Sequence, residues 1–127
     1  MDKTEMIKVV IAEPGKKARI AEIEHTLENL QKTVEGYIEC IYPFEDSVGV
    51  IDNEEGKLIG LEPNRVMYDD DGNMVDVIFG TFIIAGLAGE NFGSLTDAQA
   101  EKYLEMFRDP EVILHTKNGL VVFKLDK

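Results

Sequence analysis

Asn53, Lys57, Asn64 and Arg65 carry the chemistry of an anion site. An arginine fork matches phosphate or carboxylate with two parallel N–H bonds, and a lysine adds a point charge. The two asparagine amides can hydrogen-bond a base edge or a sugar. Tyr37 and Phe82 are candidates for stacking on a base. Together these six form a candidate ligand-binding set for a small nucleotide. The plainer reading is that Lys57 and Arg65 offset neighbouring carboxylates in surface ion pairs, which contribute little.

A second chemistry occupies the same stretch. From Glu35 to Asp76 there are twelve carboxylates against only Lys57 and Arg65, so −10 of the total −12 net charge falls in about one third of the 127 residues. Asp69, Asp70 and Asp71, with Glu54 and Glu55, are the densest part. They read either as solvated turns or as an acidic face that meets a basic protein or mimics DNA phosphates. Such a net charge repels nucleic-acid backbone and anionic lipid, so neither direct nucleic-acid binding nor membrane binding is expected.

Other reactive types lack the company that chemistry requires. Asp69 to Asn73 (DDDGN) fails the calcium-loop pattern: counted from Asp69, Gly72 stands at position 4 and Gly80 at position 12. His25 and His115 are the only histidines, and Cys40 is the only cysteine. They suggest no zinc motif and no disulfide, and Cys40 sits in an apolar strand with no base nearby. Neither Ser47 nor Ser94 lies in a nucleophile elbow. Gly86 to Gly93 (GLAGENFG) precedes a helix but lacks the spacing and lysine of a phosphate loop. The expectation is a protein with no catalytic residues, no metal and no cofactor.

The elements that must position these residues follow from pattern. Met6–Ala12 is rich in β-branched residues, and Arg19–Glu24 alternates in polarity; together they predict a hairpin. Thr26 caps a short helix whose Leu27, Leu30 and Val34 share a face, with Gly36 as the residue after its end. Strand-like segments follow at Tyr37–Tyr42, Val48–Asp52 and Lys57–Ile59. Pro63-Asn64-Arg65 reads as an interruption with one helical turn. Met74–Ile78 and Thr81–Ala85 read as buried strand split by Gly80. Ser94–Phe107 is the clearest helix, with Thr96 and Gln99 as a capping box and Leu95 stapled onto Ala100. Lys117-Asn118-Gly119 joins two strands in a C-terminal hairpin.

The expected fold is therefore α+β: a largely antiparallel sheet with two helices packed on it and a C-terminal β-hairpin. Residues 1–127 read as one domain, with 110–127 as a possible appendage. The charged start, Met1 to Thr4, does not resemble a leader peptide. The longest uncharged run, Val77 to Gly89, has 13 residues, too short to span a bilayer. With one cysteine, a cytoplasmic setting is expected, the host cytoplasm if the protein is phage-encoded.

Glu13-Pro14-Gly15, Thr26-Leu27-Glu28, Gly36-Tyr37-Ile38-Glu39, Asn53-Glu54-Glu55-Gly56-Lys57, Asn64-Arg65 and Gly80-Thr81-Phe82-Ile83-Ile84 resemble, in order and spacing, a family of small uncharacterised domains from phages and conjugative elements of Gram-positive bacteria. The resemblance runs from Lys8 to Gly86 and loosely through the Ser94 helix. It implies a mobile-element accessory protein that counters host defence, and it brings no catalytic residue with it. The expectation is then a non-enzymatic protein that sequesters a small nucleotide immune signal, with a pocket at a homodimer interface. The alternative is an acidic inhibitor or DNA mimic that binds a basic host defence protein.

Overall fold

The computed structural model describes residues 5–125; the charged start at Met1–Thr4 lies outside them. β1 (Met6–Ala12), β2 (Arg19–Glu24), β3 (Ile38–Ile41), β4 (Val48–Asn53), β7 (Phe82–Ala88) and β8 (Asn91–Gly93) form one sheet. Its order is β2-β1-β7-β4-β3, with β8 paired to β7, and the pairings are antiparallel. β5 (Pro63–Tyr68) pairs with β6 (Met74–Phe79), and β9 (Glu111–Thr116) pairs with β10 (Gly119–Lys124), each as a separate two-stranded sheet.

Side chains alternate across a strand, and β1 uses both faces. Ile7, Val9 and Ile11 join Ile51 and Ile83 under helix α1 (Leu27–Val34), which contributes Leu30 and Val34. Val10 and Ala12 point the other way and join Val50, Phe82 and Ile84. That second core is closed by Met67 and Ile78 of the β5–β6 hairpin and by Ala100 and Tyr103 of helix α2 (Asp97–Met106). The two helices therefore lie on opposite faces of the sheet. This explains why β4 and most of β7 are buried on both sides and why residues 48–51 and 82–87 are continuous apolar runs.

Local chemistry sets the ends of the helices. The Thr26 hydroxyl accepts from the Asn29 N–H at 3.0 Å. Thr96 and Gln99 form the reciprocal capping box. At the end of α1, Glu35 takes the left-handed conformation (φ 66°), where Gly36 was the expected residue. Gly36 is small for another reason: a Cβ there would come within 2.7 Å of the Asn53 amide nitrogen.

Three segments differ from the sequence pattern. Met74–Ile78, expected to be buried, is exposed at Met74, Val75 and Asp76, because β6 pairs only with β5 in a separate sheet and covers the core with Ile78 alone. Lys57–Ile59 is a turn that makes no return strand. Pro63-Asn64-Arg65 opens strand β5, where a helical turn was expected. Proline is tolerated at the first residue of a strand, and the polar pair that follows it is held inward by partners far along the chain.

Candidate functional site

Arg65 is fully buried, and its guanidinium is ringed by acceptors. Nε and Nη2 donate to the Phe107 carbonyl at 3.2 and 2.8 Å. Nη2 also donates to the Lys16 carbonyl at 2.8 Å, and Nη1 to Asn64 Oδ1 at 2.6 Å and the Glu13 carbonyl at 3.5 Å. Burial pulls its pKa down, opposed by Glu111 and Asp109. The adjacent Asn64 amide donates to the Ala12 and Gly80 carbonyls at 2.9 and 2.8 Å. The pair thus ties the β1–β2 loop, the start of β7 and the end of α2 to β5. Gly80, at φ 85°, takes a conformation that glycine adopts without strain, and a Cβ there would meet Leu61 at 2.6 Å.

Asn53 plays the same part at the close of β4, at the same end of the sheet as Ala12 and Gly80. Its amide donates to the Val34 carbonyl at 3.0 Å, and its Oδ1 accepts from the Glu55 N–H at 2.7 Å. Phe82 is in the core, edge-on to Phe107 with ring centroids 5.2 Å apart. Lys57 is exposed, with Nζ 5.8 Å from the Phe79 ring centroid, and Tyr37 is exposed on the surface. Four of the six expected ligand residues are therefore interior structural groups, and the structure does not bring the six to one opening.

The expected acidic face also divides. Gly56, beside Glu54 and Glu55, packs against Phe79 at the Pro63 end of the β5–β6 hairpin. Asp69, Asp70 and Asp71 form the turn at its far end. Six strand residues separate the groups by about 20 Å. The aspartate turn is built by Asp69, whose Oδ1 accepts from the Asp71 and Asn73 N–H groups at 3.0 and 2.9 Å. Asp70 accepts from the Glu45 N–H at 2.8 Å.

This turn borders a cavity of about 280 Å³. Phe44, Val66, Met106 and Phe107 line it with apolar surface, and Asp69, Asp70 and Glu111 supply carboxylates, with Lys124 the one cation among the lining residues. Glu111 Oε1 accepts from the Val66 N–H at 2.9 Å, which fixes the C-terminal hairpin as one wall. An apolar cleft with carboxylates suits the stem and head of a lysine or arginine side chain. A second cavity, of about 350 Å³, lies beside the Arg65 hub and is lined by Glu13, Glu35, Glu62, Lys16 and Thr81. Neither cavity is lined by any of the six expected ligand residues.

A family model for a domain of unknown function, DUF3846, matches residues 7–108. The chain belongs to the DUF3846 family. No curated protein and no solved structure matches it. The DUF3846 span holds the main sheet, both helices and the Asn64–Arg65 hub, and it ends just before the hairpin that completes the acidic cleft.

One further group in the DUF3846 domain stands out. Asp52 is buried, and its Oδ1 has no hydrogen-bond partner. Its cross-strand neighbour is Glu39. Burial, then Glu39, then Asp76 push its pKa up to about 8. Asp46 is the contrasting case. Burial pushes it up, but hydrogen bonds from Tyr103, Gln99 and the Ser47 N–H outweigh that and hold it below the usual carboxylate range. Cys40 is half-buried, and burial raises its thiol pKa, the opposite of an activated nucleophile. His25 bonds Glu5 at 3.0 Å, while His115 is exposed on β9. Among the described residues no group of three His, Cys, Asp or Glu is arranged to hold a metal ion, and no helix is long and apolar enough to cross a membrane.

Proposed function

We propose that this protein is a non-enzymatic binding protein that docks a basic partner protein, taking a lysine or arginine side chain into the cleft between the Asp69–Asp71 turn, the end of α2 and the C-terminal hairpin. The observation that carries this reading is the cleft's composition: three carboxylates around apolar walls, in a chain of net charge −12. Long-range attraction steers a cationic surface toward the protein, and the cleft gives one side chain a specific seat. In the mobile-element setting that the sequence resemblance implies, the partner is a basic host defence protein and the site of action the host cytoplasm.

Sequestration of a nucleotide signal has less support. Arg65, Asn64 and Asn53 have their hydrogen-bonding groups turned to the fold. The cavity beside them is lined by three glutamates and one lysine, a poor host for phosphate.

The test is binding of a fluorescent arginine-containing peptide, followed by anisotropy at low and moderate salt. Asp69→Asn with Asp70→Asn should weaken it about tenfold. Glu24→Gln with Glu28→Gln, which removes the same charge from exposed positions elsewhere, should change it less than about twofold. Equal losses in the two double variants would reduce the effect to net charge and overturn the cleft. A panel of cyclic nucleotides and ADP-ribose should leave the thermal midpoint unchanged, and a saturable rise would restore the nucleotide reading.

A further inference from the structure

We propose that the outer face of the C-terminal β9–β10 hairpin is an interface with a second copy of this chain. Residues directly opposite in an antiparallel pair share a face. The register pairs Val112 with Phe123 and Leu114 with Val121. These four are 38, 54, 47 and 38% exposed, and Leu125, next in the alternation, is 46% exposed. The face is apolar from base to near the tip. The opposite face carries Glu111, paired with Lys124, and turns toward β5 and the acidic cleft.

A two-stranded sheet is marginal in water unless one of its faces is covered. Here the inner face is only partly covered: Ile113 and Val122 are half-buried, and His115 and Leu120, nearer the tip, are exposed. The outer face needs its own cover. The five outer residues together expose about 400 Å² of apolar surface, at the scale where a patch marks an interaction site. Two such faces in contact remove about 800 Å² from these side chains alone, and the rim must supply the rest of the roughly 1,200 Å² at which specific interfaces begin.

The chemistry selects a second copy as the occupant. Homodimer interfaces are more apolar than interfaces with transient partners, and this face carries no charge. A basic partner would find no carboxylate on it. Charge also permits self-association: Glu111 to Leu125 holds one carboxylate and two lysines, in a chain that is otherwise strongly acidic. The hairpins thus meet through the least acidic part of the chain, which limits the repulsion between the two copies. The hairpin lies beyond the family match at 7–108.

The test is sedimentation of the full chain over a range of micromolar concentrations. The expected mass is twice 14.2 kDa. Phe123→Asp and Val121→Asp should each raise the dimer dissociation constant about thirtyfold or more. Tyr37→Ser, at an exposed aromatic on the main body, should leave it unchanged. Circular dichroism of each variant should keep the wild-type helix signal, since the substituted residues lie on the hairpin and touch neither helix nor the main sheet's core. A monomer at every concentration overturns the proposal, and so does a dimer that survives both hairpin substitutions.

Discussion

Arg65 and Asp52 are both ionisable residues in the interior of one small domain, and their surroundings differ in every respect that matters. Arg65 meets four carbonyl or amide oxygens that fit its fork. Asp52 faces Glu39 across the strand pair and Asp76 nearby, and one of its oxygens has no partner. A buried cation held by backbone carbonyls keeps its charge and ties distant segments together. A buried carboxylate among carboxylates keeps a proton instead. The first arrangement is a structural joint. The second is a weak point whose cost depends on pH.

The comparison is most strongly tested by removing the joint. Arg65→Ala strands the Phe107, Lys16 and Glu13 carbonyls and Asn64 Oδ1, and should cost about 4 kcal/mol in chemical denaturation. The thermal midpoint should fall by about 15 °C. Arg65→Lys keeps the charge without the fork and should recover less than about half of that loss. A loss below about 1 kcal/mol in Arg65→Ala would show that the joint does not hold the fold.

Asn53→Ala cuts the tie to α1 and the β4 turn and should cost about 2 kcal/mol. The expectation fails if the helix keeps wild-type protection in amide exchange.

Asp52→Asn sharpens the other half. The folded-state pKa of Asp52 is raised from 3.8 to about 8. The stability it contributes is therefore full below the unfolded-state value and is lost as pH rises through about 8. Wild type should lose stability relative to Asp52→Asn as pH rises across that window. Parallel stability–pH curves for the two proteins would mean that Asp52 is ionised and solvated. The smallest effect belongs to the cleft: Asp69→Asn with Asp70→Asn should move stability by less than about 0.5 kcal/mol while changing binding, because the side chains sit at a surface turn.

How much of this was legible in the chain depends on the reach of each interaction. β1, β2, the capped helix α2 and the Asn-Gly hairpin are written in local patterns, and their bounds emerge close to expectation. β5 was hidden because Pro63, Asn64 and Arg65 look like a polar break. Their partners, Ala12 and Phe107, lie 52 and 42 residues away, so nothing local says that they face inward. The same distance turned a joint into an apparent ligand site. Asp52 gave no signal, since only the pairing with Glu39 and the second layer over β4 bury it. The cleft is assembled from residues as far apart as Phe44 and Lys124. Only its aspartate turn was visible as a feature.

The central claim is that the aspartate cleft, and not the Asn–Arg pair, meets the partner. The most direct measurement is a double-mutant cycle on peptide binding, crossing Asp70→Asn with replacement of one peptide arginine by norleucine. Coupling of about 1.5 kcal/mol between the two changes is the predicted result. Additive losses with no coupling at any arginine, from either Asp69 or Asp70, would contradict it.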